Sequence, residues 1–224
     1  MKKTFNIHQL LVIFSSIVFG LVTLCGLGFL YFTAPKTVVI ETQGQPTIGG
    51  LNAAVHVVVF EDLKCADCRD YTTTIYPKIK QKYIDTGKVK YTVITMAFMA
   101  GSRMAALAAK CVYEQNKDLF FPFVDYLFEN QPKEFCDWAT LPNLEEFARK
   151  VPGVDVQALR EKITDANFSR YLDRNFEIGK QAMENDILTP TLSVNGVRVK
   201  EPKFELICKE INAALARKGI YLHE

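Results

Sequence analysis

The 224-residue chain predicts an α/β fold: a strand–helix–strand unit, a helical insertion, then a closing β-hairpin and helix, with one apolar segment in front. Three observations carry this. Residues 55–60 are an unbroken β-branched and apolar run, followed by a helical pattern and then by a second, alternating strand pattern. Residues 101–185 show only 3.6-residue stripes. Asn195-Gly196 then sits between two short strand patterns, a strong two-residue hairpin signal.

The elements follow in chain order. Residues 1–9 carry Lys2 and Lys3 and read as a cytoplasmic N-terminus. Residues 10–32 hold no charged side chain and suit a transmembrane signal anchor better than the shorter apolar core of a cleaved signal. A cut after Ala34 would leave bulky Phe32 at the third position back and Pro35 behind it. Lipidation at Cys25 would want a small residue where Leu24 stands. Residues 33–54 are a tether and N-terminal segment, with a short strand over 37–41 and turn signals at 43–46 and Gly49-Gly50.

Residues 55–100 form the first half of the α/β domain. From Cys65 a helix turns Cys68, Ile75, Ile79 and Tyr83 inward, is kinked by Pro77 and ends at Gly87. Val89, Tyr91, Val93 and Thr95 alternate as the second strand, parallel to the first. In the insertion, residues 101–185, Ser102, Asn143 and Asp155 are candidate helix caps. Residues 186–224 are the second half, with strands at 191–194 and 197–200 and a final helix marked by Phe204, Ile207, Cys208, Ile211 and Leu215.

Composition narrows the function. Lys and Arg nearly balance Asp and Glu, for a formal charge of +2, so nothing points to a nucleic-acid partner. Six cysteines, one close pair and four singles, are too sparse for a disulfide scaffold in a chain of this length. The close pair, Cys65-Ala66-Asp67-Cys68, opens a helix, where partial positive charge stabilises a thiolate. A zinc half-site would want a second pair, and the only histidines are His8, His56 and His223. A purely structural bridge across so small a loop would stabilise little. Thiol–disulfide exchange remains, with Cys65 as the exposed attacking thiol and Cys68 as the buried resolving thiol. No metal or cofactor is expected. Thr189-Pro190, just before the hairpin, is expected to be cis and to turn the Thr189 backbone toward the Cys65 sulfur, where it can pair with an extended substrate peptide.

Residues 48–55, 59–65, 83–89 and 189–196 together resemble the DsbA-like branch of the thioredoxin superfamily. The resemblance runs from about Pro46 to the C-terminus, and is nearest in kind to small membrane-anchored periplasmic members of the chlamydial DsbH type. It implies a thioredoxin fold with an inserted helical domain and a site of Cys65, Cys68 and cis-Pro190. It departs from the strongly oxidising members in three places. Ala66-Asp67 replaces Pro-His, and the Asp67 charge should raise the Cys65 pKa relative to them, partly offset by Lys64, with both groups solvated. Thr189 stands before the proline, as in reductases and isomerases. Val59 occupies the position of a buried carboxylate, which leaves Glu61 either as its replacement or as a solvated strand-end residue.

The expected protein is therefore a thiol:disulfide oxidoreductase held in a bacterial inner membrane by residues 10–32, with its catalytic domain in the periplasm. It acts on exported proteins with cysteines or disulfides and is recycled by a membrane redox partner. Asp67 and Thr189 favour the reducing direction over a DsbA-like oxidase. Outside the enzyme class, Met96, Met99 and Met104 suggest a tethered chaperone, against ordinary core packing. A Cys111–Cys136 bridge is a further alternative.

Overall fold

The computed structural model describes residues 6–33, 36–133 and 135–220; within the first stretch only the backbone is described for Ile7, Gln9, Leu10 and residues 24–33. The sequence expectations for Lys2, Lys3, Ala34, Pro35, His223 and the side chains of Leu24, Cys25 and Phe32 lie outside the described residues. The chain divides into two units, Met1–Lys36 and Thr37–Glu224. The first contains helix α1, Ile7–Thr33. Among the described residues no helix is long and apolar enough to cross a membrane.

The second unit is built on a five-stranded mixed sheet in the order β1-β3-β2-β4-β5. These strands are β1 (Thr47–Gly49), β2 (Val55–Asp62), β3 (Val89–Met96), β4 (Thr191–Val194) and β5 (Val197–Arg198). Central β2 pairs parallel with β3, Val59 opposite Val93, and antiparallel with β4, Val59 opposite Leu192. The strand expected over 37–41 is reduced to a single bridge from Thr37 to Val197. The edge position is filled by β1, which reaches β3 between the turns the sequence marks. The hairpin turns on Asn195 and Gly196, both at positive φ (48° and 84°), as a tight two-residue connection requires.

Both faces of β2 are buried, which is why its sequence does not alternate. Val55, Val57 and Val59 face a core shared with the helical insertion and the final helix, while Val58 and Phe60 face a smaller cluster with Ile94, Met96 and Met183. Met96 is fully buried and Met99 and Met104 pack against the main core, so the methionines are core residues rather than an exposed binding surface.

Between β2 and β3 runs helix α2, residues 66–84, in which α-helical Ala66–Asp70 and Tyr76–Ile79 alternate with π-helical Tyr71–Ile75 and Lys80–Ile84. Pro77 has no N–H, and the chain widens into a π turn just before it instead of kinking sharply. The extra residue shifts the register. Tyr71 and Tyr76 are buried with Cys68, Ile79 and Tyr83, whereas Ile75, expected inside, is only half-buried.

The insertion supplies α3 (Arg103–Gln115), α4 (Phe120–Glu129), α5 (Leu141–Arg149), α6 (Val156–Lys162) and α7 (Ala166–Ala182), and α8 (Phe204–Ala216) closes the chain. Helix α7 crosses β3 so closely that a Cβ on Gly179 would lie 2.6 Å from Met96 Cε. Asp155 caps α6 through Ala158 N–H (3.0 Å). Asn143 does not cap: Thr140 precedes α5, and Asn143 instead donates to Trp138 O. Ser102 precedes α3 without capping it, because its hydroxyl is committed elsewhere.

Candidate thiol–disulfide site

The site lies where β2 ends and α2 begins. Cys65 is the residue before α2, in an extended conformation (φ −70°, ψ 126°) that sets its sulfur over the first turn. Cys68 lies one turn in and is fully buried as expected, whereas Cys65, expected to be exposed, is itself buried (7% exposed) under the loop that carries Thr189. Both are free thiols here. The Thr189–Pro190 bond is cis. The Cys65 thiol donates to Thr189 O at 3.4 Å, so the loop before β4 reaches the attacking sulfur across 124 residues of sequence.

The two sulfurs are electrostatically unlike. The Cys65 thiol falls to about 6, chiefly because the Cys68 thiol donates to it, then through the Thr189 hydroxyl and the backbone N–H groups of Cys68 and Asp67, against the opposing effect of burial. The Cys68 thiol is pushed well up, first by burial, then by its bond to Cys65 and the nearby Glu61 charge. The buried Thr189 hydroxyl has no hydrogen-bond partner among the described residues and lies within reach of both sulfurs. It supports whichever sulfur carries charge.

The residues named as tuning groups separate on folding. Lys64 is buried, not solvated: its Nζ donates to Ala100 O (2.8 Å), away from Cys65. Asp67 is exposed, and what it gives the Cys65 sulfur is its backbone N–H, which favours the thiolate. Ala66 is half-buried between them. Glu61 is buried rather than solvated, accepts from Thr72 Oγ1 (3.0 Å), and is raised to about 8, mainly by desolvation.

Two supports escape the sequence patterns. Asp62 is fully buried, and its carboxylate accepts from the N–H groups of Lys64 (2.9 Å), Phe98 and Met99 (both 3.1 Å) and from Ser102 Oγ (2.9 Å). It ties the Cys65 turn to the loop after β3; burial still raises its pKa, against all four donors. Gln131, just beyond α4, donates to Leu63 O (2.9 Å) and braces the same turn from the insertion. Apart from Lys64, two residues from Asp62, their partners lie 36 to 68 residues away, so no local spacing could flag them.

Beside the sulfurs runs a groove of about 260 Å³, lined by Asp67, Asp70, Tyr71, Ile75, Leu188 and Pro190 among others. Ile75, displaced from the core by the π turn, forms part of its wall. Elsewhere, Cys111 is buried with its thiol raised to about 12, Cys136 is exposed, and the two are not bonded. Among the described residues no three His, Cys, Asp or Glu side chains converge as metal ligands.

A family profile described as thioredoxin matches residues 41–213. Disulfide bond formation protein D of Bacillus subtilis is 33% identical over 159 residues, covering 70% of this chain and 71% of that protein. The chain belongs to the DsbA-like thiol:disulfide oxidoreductases of the thioredoxin superfamily. Solved structures agree. Oxidised BdbD from Bacillus subtilis superposes with a TM-score of 0.75 at 31% identity, covering 82% of this chain and all of the other. Chlamydia trachomatis DsbA gives 0.75 at 27% identity, covering 84% and 100%. This DsbA-like chain therefore has a thioredoxin-type α/β fold, with α3 to α7 running between β3 and β4.

Proposed function

We propose that this protein forms disulfides in exported proteins, with Cys65 as the exchanging thiol and Cys68 as its partner. The carrying observation is the asymmetry of the two sulfurs. Cys65 lies against the N–H groups of the first turn and the Thr189 hydroxyl, and Cys68 is buried beside Glu61. A substrate thiolate attacks the Cys65 sulfur of the Cys65–Cys68 disulfide, and Cys68 leaves with the electron pair and takes up a proton. The second substrate thiolate attacks the substrate sulfur of the mixed disulfide and expels Cys65 as its thiolate. The substrate leaves with a disulfide, and two electrons stay on the pair. Regeneration needs a membrane redox partner that accepts them.

The direction follows from magnitudes. A thiolate near 6 is more stable than the roughly 7 of thioredoxin, though less so than the roughly 3.5 of the strongest oxidant, DsbA. It stabilises the reduced form and raises the potential above that of thioredoxin. The sequence reading favours the reducing direction from an Asp67 carboxylate acting on the sulfur; the backbone N–H of that residue supports the oxidising one. The name of the Bacillus relative points the same way.

The charge-free run of residues 10–32 supports an inner-membrane anchor, with Thr189, Pro190 and the groove facing the periplasm. The test is transfer to a reduced, unfolded substrate protein. The oxidised protein should insert disulfides, Cys65→Ser should abolish transfer, and Cys68→Ser, offered instead a disulfide-bonded substrate, should accumulate a mixed disulfide on Cys65. Reduction of a disulfide substrate without any oxidation of the dithiol substrate would overturn the direction. Alkaline extraction of membranes tests the anchor.

A further inference from the structure

The buried sulfur of Cys68 lies at the inner end of a line of polar groups that leads out through the helical insertion. Glu61 lies near enough for its charge to act on that sulfur, and its Oε1 accepts from Thr72 Oγ1 (3.0 Å). Glu61, Thr72, Tyr76 and Asp125 line one cavity of about 10 Å³, the space of a single water, whose remaining wall is aromatic and aliphatic. The Tyr76 hydroxyl is buried and has no hydrogen-bond partner among the described residues. A buried hydroxyl left so is costly unless the cavity supplies a partner. Asp125 belongs to both sides. It lines this cavity and also an outer groove of about 200 Å³ with Thr72, Lys80 and Glu129, the last of these exposed.

We propose that Asp125, with Tyr76 and Thr72, passes the proton between Glu61 and solvent each time Cys68 enters or leaves a disulfide. Asp125 touches neither sulfur and is a positioning residue for the proton. When Cys68 attacks a mixed disulfide on Cys65, its sulfur lone pair forms the Cys68–Cys65 bond. The bond from Cys65 to substrate breaks, and that pair leaves on the substrate sulfur. The Cys68 proton goes to the Glu61 carboxylate, from there across the cavity to Asp125, and then to bulk water. In the opposite direction a proton enters by the same route and ends on Cys68. The inference rests on the oxidoreductase reading and holds for either direction of electron flow.

The electrostatics agree with this geometry. Burial raises Glu61 to about 8, with Cys65 and Asp125 adding to it; Cys68, Tyr71, Tyr76 and Tyr91 also face it. Burial raises Asp125 to about 6, with Glu129 adding and Lys80 opposing. Both acids thus hold and release protons near neutrality, and proton affinity falls toward solvent.

The test uses the full chain in mild detergent, exchanging with glutathione in both directions by stopped flow from pH 5 to 8. Asp125→Asn preserves the shape of the side chain and removes its capacity to carry a proton. Forward and reverse rates should fall together by about tenfold near pH 6–7, less than the roughly 10²–10⁴ of a direct acid–base group. The equilibrium constant should stay within about twofold, since a relay acts on both directions alike, and added imidazole should restore the rate. Tyr76→Phe should give a smaller loss of the same kind. In a Glu61→Gln background Asp125→Asn should cost nothing more. Unchanged rates, a loss equal at every pH and unrescued by imidazole, or a loss that adds to that of Glu61→Gln would each overturn the relay. If the unsubstituted chain fails to exchange at all, it is the oxidoreductase reading that falls.

Discussion

Replacing Cys65 by Ser should make the stability of the reduced protein lose a pH-dependent part. The folded thiol lies at about 6, and an unfolded one at about 8.5. The folded value is depressed, so the stabilisation is fully present above the unfolded value and disappears as pH falls through 6. Unscreened, that is about 1.4 kcal/mol at pH 7 and about 3 kcal/mol at pH 8.5, and near zero at pH 5.5. Part of the field crosses solvent, which trims these to about 1 and 2 kcal/mol. The assay is urea unfolding of the reduced protein and of Cys65→Ser at the three pH values. The difference between them should grow with pH by this amount. A difference that is flat from pH 5.5 to 8.5 would refute the stabilised thiolate.

Three further outcomes follow from named contacts. Glu61→Gln removes the acid beside Cys68 and should slow exchange with glutathione at pH 7 by about 10²-fold, read by stopped flow; an unchanged rate would leave Glu61 a structural group. Asp62→Ala orphans four donors that meet at one carboxylate and should destabilise the fold by about 3 kcal/mol in urea; a loss under about 1 kcal/mol would show that the turn is held by other contacts. Among Cys65, Cys111 and Cys136, iodoacetamide at pH 7 should label Cys65 first and Cys136 next. Cys111, buried with its thiol near 12, should stay unlabelled, and mass spectrometry of the peptides reads the order.

Much of the fold is legible in the sequence because local signals agree with it. The two-faced burial of β2 shows as an unbroken apolar run, and Asn195-Gly196 supplies the positive φ that its turn needs. The Cys65–Cys68 spacing and Thr189-Pro190 place the sulfurs and the loop that meets them. What escapes is what depends on distant partners or a shifted period. The π turn before Pro77 moves Ile75 outward, which a constant 3.6-residue period cannot foresee. Ser102 looks like a helix cap, but its hydroxyl is drawn to Asp62, forty residues earlier. Lys64 looks like a solvated neighbour of Cys65, yet Ala100 O takes its ammonium. Asp125 and Glu61 come together only when the insertion closes over α2.

The potential of the Cys65–Cys68 couple, equilibrated against glutathione at pH 7, tests the central claim most directly. A thiolate stabilised beyond that of thioredoxin predicts a potential above the roughly −270 mV of that reductant. A value at or below −270 mV would contradict the account and return Asp67 and Thr189 to the reducing role that the sequence suggests.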